Sequence, residues 1–190
     1  MQVNIRRAVP DDADACAAIH VAAWEASYRG IMPDEEFAKR PLERRQQQWR
    51  DWLARDDQVT LVACDERETV LGFAGTLLLD GSNGFDSYLA MLYLRPDSKR
   101  QGLGTTLLRA IACDLVALGA QNMALRTLRL NPVRAFYERL GARFVPEGVD
   151  IDAGVFDDVV YAFDDLQKLA QASTPALRLD PQRDARSKSR

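Results

Sequence analysis

A glycine-containing connection between a strand and a helix is the sequence feature that most constrains this chain. Gly102 and Gly104 follow a strand-like apolar segment at residues 90–94 and a short turn. Leucine and isoleucine then recur at helical spacing from Leu103 to Leu118, which predicts an amphipathic helix. The first turn of a helix presents unpaired backbone N–H groups and the positive end of its dipole. Because glycine has no side chain, a phosphate can approach this backbone closely, so the segment predicts an anion-binding loop.

The spacing of the glycines separates this loop from two common nucleotide-binding motifs. A dinucleotide-binding fingerprint needs a third glycine at a fixed offset, and a P-loop needs Gly-Lys-Ser/Thr after its glycines; neither is present. The loop instead resembles the Q/R-x-x-G-x-G/A motif of the Gcn5-related N-acetyltransferase (GNAT) superfamily, with Lys99 in the place of Gln or Arg. The alternative interpretation is a plain strand-to-helix connection that needs small residues.

The resemblance implies that acetyl-CoA is the cosubstrate and that no metal is required. In the family this loop holds the pyrophosphate of coenzyme A, which makes candidate cofactor-binding residues of Lys99, Arg100, Gln101, Gly102, Leu103, Gly104 and Thr105. The strand before the loop resembles the family's pantetheine-binding edge, which adds Leu92, Tyr93 and Leu94. A backbone N–H on that strand could also polarise the thioester carbonyl.

A second segment, at residues 131–142, strengthens the resemblance. It is similar to the GNAT pattern N-x-x-A-x-x-F-Y-E-x-x-G-F, with one residue fewer between Asn131 and Phe136. Asn131 can cap a helix that Pro132 starts. In the family the Asn position touches the pantetheine arm, and the Tyr position, here Tyr137, lies beside the thioester sulfur. The alternative is a capped helix whose aromatic residues only pack.

The order of predicted elements, β-α-α-β-β-β-α-β-α-β-β, is that of the GNAT fold. The resemblance covers residues 2–165 and implies an α/β (α+β) protein with a mixed, mostly antiparallel seven-stranded sheet and helices on both faces. We therefore expect a GNAT N-acetyltransferase domain at residues 1–165. Residues 166–190 are polar, and residues 174–190 contain five Lys/Arg and two Asp, so we predict a flexible C-terminal tail.

Composition narrows the classes of function and the compartment. The chain has 190 residues, 47% of them hydrophobic, and a net charge of −3, which suits one core and gives no broad basic field for nucleic acid. No signal peptide and no run of ~18 apolar residues is present, so we expect a cytoplasmic protein without membrane partners. The three cysteines are far apart and are predicted to be buried thiols. Cys/His spacings typical of zinc sites are missing.

The implied chemistry is direct attack of an amine on the thioester in a ternary complex, without an acyl-enzyme. Tyr137 is the candidate acid that assists the departing thiolate. The base is open, because the strand before the glycine loop has no carboxylate. Asp86, Glu25 and His20, the single histidine, are weak candidates, and a water chain could serve instead.

The acceptor amine is the least constrained part of the prediction. Trp24 and Tyr28 resemble a first-helix segment that walls the acceptor site in many relatives, although they could simply pack the helix onto the sheet. Residues 147–165 have several acids and no Lys or Arg, which would favour a small cationic amine: Glu147, Asp150, Asp152, Asp157, Asp158, Asp164 and Asp165. Two alternatives stay open, a protein N-terminal or lysine acetyltransferase and a non-catalytic acyl-CoA-binding regulatory module. Homodimerisation also stays open.

Overall fold

Seven strands form one mixed sheet, and the computed structural model describes them within residues 3–146 and 157–171. The strands are β1 Asn4–Arg7, β2 Gln58–Cys64, β3 Val70–Leu78, β4 Ser87–Leu94, β5 Met123–Leu128, β6 Arg143–Val145 and β7 Asp158–Phe163. Their order across the sheet is β1-β2-β3-β4-β5-β7-β6, and every neighbouring pair is antiparallel except β4 and β5. The predicted mixed, mostly antiparallel seven-stranded sheet is therefore confirmed.

The described helices follow the predicted order along the chain. They are α1 Ala13–Tyr28, α2 Asp34–Ala38, α3 Leu42–Leu53, α4 Leu103–Ala117, α5 Arg134–Arg139 and α6 Leu166–Gln171. A 3₁₀ turn at Pro10–Asp12 precedes α1. The predicted break at Pro41 is present between α2 and α3, since proline lacks a backbone N–H and disfavours helix in the residue before it.

The pleat of the strands divides the apolar side chains between two cores. On β2, Leu61 and Ala63 face the larger core, while Val62 and Cys64 face the other side of the sheet. The larger core contains α4 and α6, with Leu107, Leu108, Ile111, Leu115, Met123, Leu125, Leu166 and Leu169 buried. The second core contains α1 and α3, with Cys16, Ala17, Ile19, Trp49 and Phe73 buried. Helices thus cover both faces, as predicted.

The middle of the sheet contains a gap between β4 and β5. These parallel strands pair only at Tyr88 with Ala124 and at Leu89 with Leu125. The register of β4 against β3 shifts at the next residue, because Gly75 pairs with Met91 whereas Thr76 pairs with Leu89. Ala90 is thus an extra residue, and a β-bulge of this kind bends its strand. Beyond Leu89 the two strands separate and leave space between them.

The predicted tail begins too early, because its first residues form α6. Leu166 and Leu169 are buried in the larger core, against α4. Asp165 accepts a hydrogen bond from the Lys168 backbone N–H at 2.8 Å, which satisfies one of the donors at the start of this short helix. Two leucines three residues apart on one helical face were enough to dock it. Residues 172–190 lie outside the described residues.

Three further expectations can be compared with the structure. Cys16 and Cys64 are buried as predicted, whereas Cys113, on α4, is exposed, so that prediction is wrong for one thiol. The last strand was expected from residue 155 and is described from Asp158; residues 155 and 156, like the acidic segment at residues 147–154, lie outside the described residues. Within the described ranges, no helix has the length and apolar character needed to cross a membrane.

Candidate active site

The gap between β4 and β5 opens into a cleft of about 720 Å³. The outer half of β4 and the end of β5 form its sides, and the C-terminal end of α1, the start of α4 and α5 surround it. Nearly all the predicted cofactor-binding and catalytic residues line this cleft: Leu92, Tyr93, Leu94, Lys99, Arg100, Gly102, Gly104, Thr105, Asn131 and Tyr137. Tyr28, predicted for the acceptor side, lines it as well. Residues from four separate segments of the chain therefore meet in one place.

The glycine loop has the backbone conformation of an anion-binding helix start. Gly102 precedes α4 with φ of 85°, a left-handed conformation that strains any residue with a Cβ. The Gly102 carbonyl accepts the Thr106 N–H at 3.1 Å, so α4 is regular from its first turn. The N–H groups of that first turn have no partners within the helix and lie at the cleft, where Gly104 and Thr105 line the wall. This geometry fits a phosphate-bearing ligand.

Two residues of the loop do not present their side chains to the cleft. The Gln101 side chain donates to the Asp97 carbonyl at 3.2 Å, which holds it against the preceding turn. Leu103 is buried in the larger core and anchors the start of α4. Their side chains therefore support the loop, and any contact with a cofactor would use their backbone. Lys99, in contrast, lines the cleft, with its Nζ 3.5 Å from the Ser27 hydroxyl on α1.

Asn131 orders the turn that leads into α5. Its Oδ1 accepts the Val133 N–H at 3.0 Å, and its side chain is buried at the cleft wall. The helix itself begins at Arg134 rather than at Pro132, because residues 131–133 form a turn stabilised by this side-chain hydrogen bond. The turn and α5 together bring Tyr137 to the cleft, with its ring edge-on to Phe136 at 5.1 Å.

Three phenol side chains, Tyr28, Tyr93 and Tyr137, line the same cleft. Burial is the main cause that raises the pKa of each. Repulsion from neighbouring phenolates adds to the rise for Tyr93 and Tyr137, and the charge of Asp158 adds to it for Tyr28. Tyr28 also shares hydrogen bonds with the side chains of Tyr93 and Asn131, which partly offset the rise in its pKa. All three hydroxyls are therefore neutral near pH 7 and can donate hydrogen bonds there.

The sequence model of the Acetyltransferase (GNAT) family matches residues 13–142 of the chain. The chain belongs to this family. The match spans α1, the glycine loop and α5, and so includes every element that borders the cleft. Membership confirms the predicted acetyltransferase class and, with it, acetyl-CoA as the cosubstrate.

Proteins similar to this GNAT acetyltransferase cover most of its length. The uncharacterized N-acetyltransferase YuaI of Bacillus subtilis is 29% identical over 154 residues, which are 80% of this chain and 87% of YuaI. The PaiA N-acetyltransferase of Thermoplasma acidophilum, solved in complex with coenzyme A, matches with a TM-score of 0.73 at 22% identity, over 86% of this chain and 99% of its own. An acetyltransferase of Thermus thermophilus matches with a TM-score of 0.66 at 18% identity, over 86% and 97%. These likenesses confirm the GNAT fold.

None of the three candidate bases lines the cleft. Asp86 accepts the Gln121 N–H at 2.8 Å and so fixes the loop between α4 and β5. Glu25 is paired with Arg29 on the surface of α1. His20 is buried in the second core with its ring stacked on Tyr93 at 4.6 Å, and burial together with Arg45 and Arg40 lowers its pKa to about 3. The lining of the cleft therefore gives no support to any of the three as the base.

Trp24 also lies elsewhere. Its ring contacts Tyr28 at 5.2 Å and Phe37 at 4.8 Å, and it lines a separate, smaller cavity between α1, α2 and α3.

Among the described residues, no cluster of three His, Cys, Asp or Glu side chains is close enough to hold a metal ion.

Two polar residues of the cleft, Arg126 and Thr127, were not predicted from the sequence. Both lie near the end of β5, where the strand separates from β4, and the Arg126 Nε is buried without a hydrogen-bond partner within the described ranges. An arginine in the mostly apolar β5 was the available signal, since a buried strand seldom has a charged residue without a functional or structural partner.

Proposed function

We propose that this GNAT protein is an N-acetyltransferase that transfers the acetyl group of acetyl-CoA to a primary amine by direct attack in a ternary complex. The observation that supports this most strongly is one continuous cleft that reaches from Gly102 and Gly104 to Tyr137 through the gap between β4 and β5. The phosphates would contact the start of α4, and the pantetheine arm would lie between the separated strands. Lys99 and Arg100 would hold the phosphate end of acetyl-CoA, and Asn131 would hold the pantetheine end.

Acetyl-CoA supplies a thioester whose C–S bond breaks as the bond between the amine nitrogen and the carbonyl carbon forms. The unpaired outer edge of β4 would position the pantetheine and polarise the carbonyl, and positioning alone can supply a large part of the rate. Tyr137 would donate a hydrogen bond to the sulfur as thiolate charge develops. Ordinary phenol and thiol pKa values of ~10 and ~8.5 already make full proton transfer uphill, and burial raises the pKa of Tyr137 further. A tightening hydrogen bond is therefore the better description.

The proton of the attacking ammonium would leave through water. Neither Asp86, Glu25 nor His20 lines the cleft, so a direct transfer to any of them has no support from the structure. Tyr28 and Tyr93 share a hydrogen bond at the cleft wall and could orient a water molecule beside the amine. A water relay of this kind delivers the neutral amine that attack requires.

A small cationic amine is the acceptor class that we favour, although part of the predicted acidic cluster is already neutralised. Asp157 is paired with Arg129 at 2.9 Å, and Asp164 with Arg143 at 2.6 Å. Asp165 serves α6. Glu147, Asp150 and Asp152 lie outside the described residues. The acidic character that remains in the described part of this cluster is concentrated in one residue, Asp158.

Asp158 has a position from which it could attract a cationic acceptor. It is half-buried at the start of β7 and pairs with Leu128 at the end of β5, next to the cleft wall. Burial raises its pKa, and Arg126, which lines the cleft, opposes that rise. Its charge also acts on the Tyr28 hydroxyl. An ionised Asp158 would raise the local concentration of ammonium groups and exclude anionic amines.

The direct test is to follow release of coenzyme A from acetyl-CoA in the presence of a panel of amines. The panel should contain small diamines, neutral and anionic amines, and peptides with a free N-terminus or a lysine. We expect acetylation of small cationic amines, lower kcat/KM for Asp158→Asn with these acceptors, and little change for an Asp157→Asn control. Turnover of peptides alone would favour the protein-acetylating alternative. Tight binding of acetyl-CoA without turnover of any acceptor would favour the regulatory module.

A further inference from the structure

A second cavity, of about 170 Å³, lies between α1, α2 and α3. Its walls are Val21, Trp24, Glu25, Phe37, Arg40 and Arg45. Two aromatic rings and a valine make most of it apolar, while three charged side chains reach into it. A small cavity with this lining is suited to a ligand that has an apolar body and one charged end.

The charges around this cavity are not balanced. Glu25 is paired with Arg29 on the surface of α1, so its negative charge is already neutralised there. Arg40 is paired with Glu36 at 2.9 Å, and its guanidinium lies over the Trp24 ring at 4.5 Å. Each of these side chains therefore already has a partner of opposite charge. The remaining charged residue of the cavity is Arg45.

Arg45 has no such partner within residues 3–146 and 157–171. Its Nε is buried without a hydrogen bond, and no described carboxylate lies within ion-pair distance. Burial lowers its pKa, Arg40 and Arg44 lower it further by repulsion, and only an ionised Tyr93 would oppose this. His20, the neighbouring imidazole, is neutral because its own pKa is lowered to about 3, so it supplies no negative charge. A partly buried guanidinium whose Nε has no hydrogen-bond partner is unfavourable, and an anion in the cavity would relieve that cost.

We propose that this cavity is a binding site for the carboxylate of a small organic acid, with Arg45 as the anion-binding residue and Trp24 and Phe37 as the walls against its apolar body. The planar guanidinium matches a carboxylate with two parallel hydrogen bonds. The Phe37 and Val21 walls have no hydrogen-bond donors for the further oxygens of a phosphate, which favours the organic acid over inorganic phosphate. The site is distinct from the cleft assigned to acetyl transfer, although Trp24 contacts Tyr28 of that cleft at 5.2 Å.

Calorimetric titration of the full chain with benzoate tests the proposal without any assumption about acetyl transfer. We expect saturable binding by the wild-type protein and a loss of at least about tenfold in affinity for Arg45→Met, because a hydrogen-bonded charge pair is removed. Arg44→Met is the matched control: it removes the neighbouring exposed arginine, which does not line the cavity, and should bind benzoate as the wild type does. Inorganic phosphate should bind at least about tenfold more weakly than benzoate.

A second variant keeps the test decisive if Arg45→Met does not fold. Val21→Phe leaves Arg45 in place and fills the cavity, so it should abolish benzoate binding while a cooperative thermal transition shows that the protein is folded. The proposal is overturned by any of four results. These are no saturable benzoate binding to the wild type, unchanged binding to a folded Arg45→Met or Val21→Phe, an equal loss for Arg44→Met, or phosphate binding as tight as benzoate.

Discussion

Tyr137 is the residue on which the proposed transfer chemistry depends most. Tyr137→Phe removes the hydroxyl from the cleft while it keeps the ring packed against Phe136. We expect acetyl-CoA affinity to be unchanged and kcat to fall by about 10²-fold, because the lost hydrogen bond acts only as thiolate charge develops. Steady-state kinetics together with calorimetric titration of acetyl-CoA measure the two effects separately.

Tyr161→Phe is the control for this variant. Tyr161 is also a buried phenol, but its hydroxyl bonds to Glu138 and Arg134 outside the cleft. Its loss should reduce the free energy of unfolding by about 1 kcal/mol and leave kcat unaltered. An unimpaired kcat in Tyr137→Phe, with chemistry shown to limit the rate, would mean that the thiolate leaves without help from this hydroxyl.

Asp12 links the first strand to the first helix. Its carboxylate accepts two hydrogen bonds from Arg6, at 2.7 and 3.0 Å, and one from the Val9 N–H at 2.8 Å. Burial alone would raise the pKa of Asp12, but these bonds outweigh it and hold the pKa below its usual value. The stability that they contribute is thus present above the unfolded-state pKa, ~3.9, and is lost as the pH falls through the folded-state value.

Asp12→Asn should therefore destabilise the protein by about 1–3 kcal/mol at pH 7, and the difference from wild type should shrink as the pH falls below about 4. Urea denaturation at a series of pH values measures this. Asp11→Asn, on the same 3₁₀ turn but exposed, serves as the control and should stay within about 0.5 kcal/mol of wild type. A constant difference at every pH would assign the loss to packing rather than to the ion pair.

At the scale of elements, two substitutions of Gly104 distinguish the needs of helix α4 from the needs of the ligand at its first turn. A Cβ on Gly104 would lie 3.6 Å from Phe136 Cζ and 3.7 Å from Leu94 Cδ1, both ordinary contacts. Gly104→Ala should therefore fold with equal or higher stability, since alanine favours helix. Gly104→Val extends further into the cleft and should weaken acetyl-CoA binding by about tenfold or more by displacing the phosphates from the N–H groups.

Calorimetric titration of both variants with acetyl-CoA, alongside their thermal transitions, measures this difference. The alanine variant controls for the loss of glycine itself. If the valine variant is folded and binds acetyl-CoA with wild-type affinity, the glycine loop is not part of the binding site.

At the scale of the whole molecule, helix α6 is the last element that the structure describes. A chain that ends at Gln171 keeps Leu166 and Leu169 in the larger core, and we expect its melting temperature and activity to match those of the full chain. A chain that ends at Asp165 loses both leucines and should lose roughly 3–6 kcal/mol of stability. Thermal unfolding of the two truncated chains measures this difference. Equal melting temperatures would show that α6 does not support the core.

The sequence was a good guide to the fold where local signals and long-range packing agree. The apolar segment at residues 90–94 predicted β4 except for its first three residues, and the leucine spacing predicted α4 to within one residue. The two glycines between them predicted the loop. The start of α5 was displaced because the Asn131 side chain bonds to the Val133 N–H and forms a turn before the helix begins. Such a hydrogen bond competes with the helix and leaves no periodic signal.

The candidate site was predicted less completely, because its other residues depend on contacts that are remote in sequence. Asp86 looked available next to a catalytic strand, yet it binds the Gln121 N–H, 35 residues away. His20 looked like a titratable group, yet the fold buries its ring against Tyr93. The second cavity brings Arg45 of α3 together with Trp24 of α1 and Phe37 of α2, and no spacing within one helix predicts that.

The two residue pairs between β4 and β5 also have a mechanical consequence. They join a four-stranded half of the sheet to a three-stranded half. The larger core, with α4 and α6, connects the halves on one face, and on the other face only the small cluster of Phe85, Ala124, Val145 and Ala162 does so. The opposite face has two separate apolar clusters instead of a common one. Bending about this narrow junction breaks few hydrogen bonds, so we expect it to be the softest deformation of the molecule. That deformation changes the width of the cleft, and a ligand bound between the halves would restrict it.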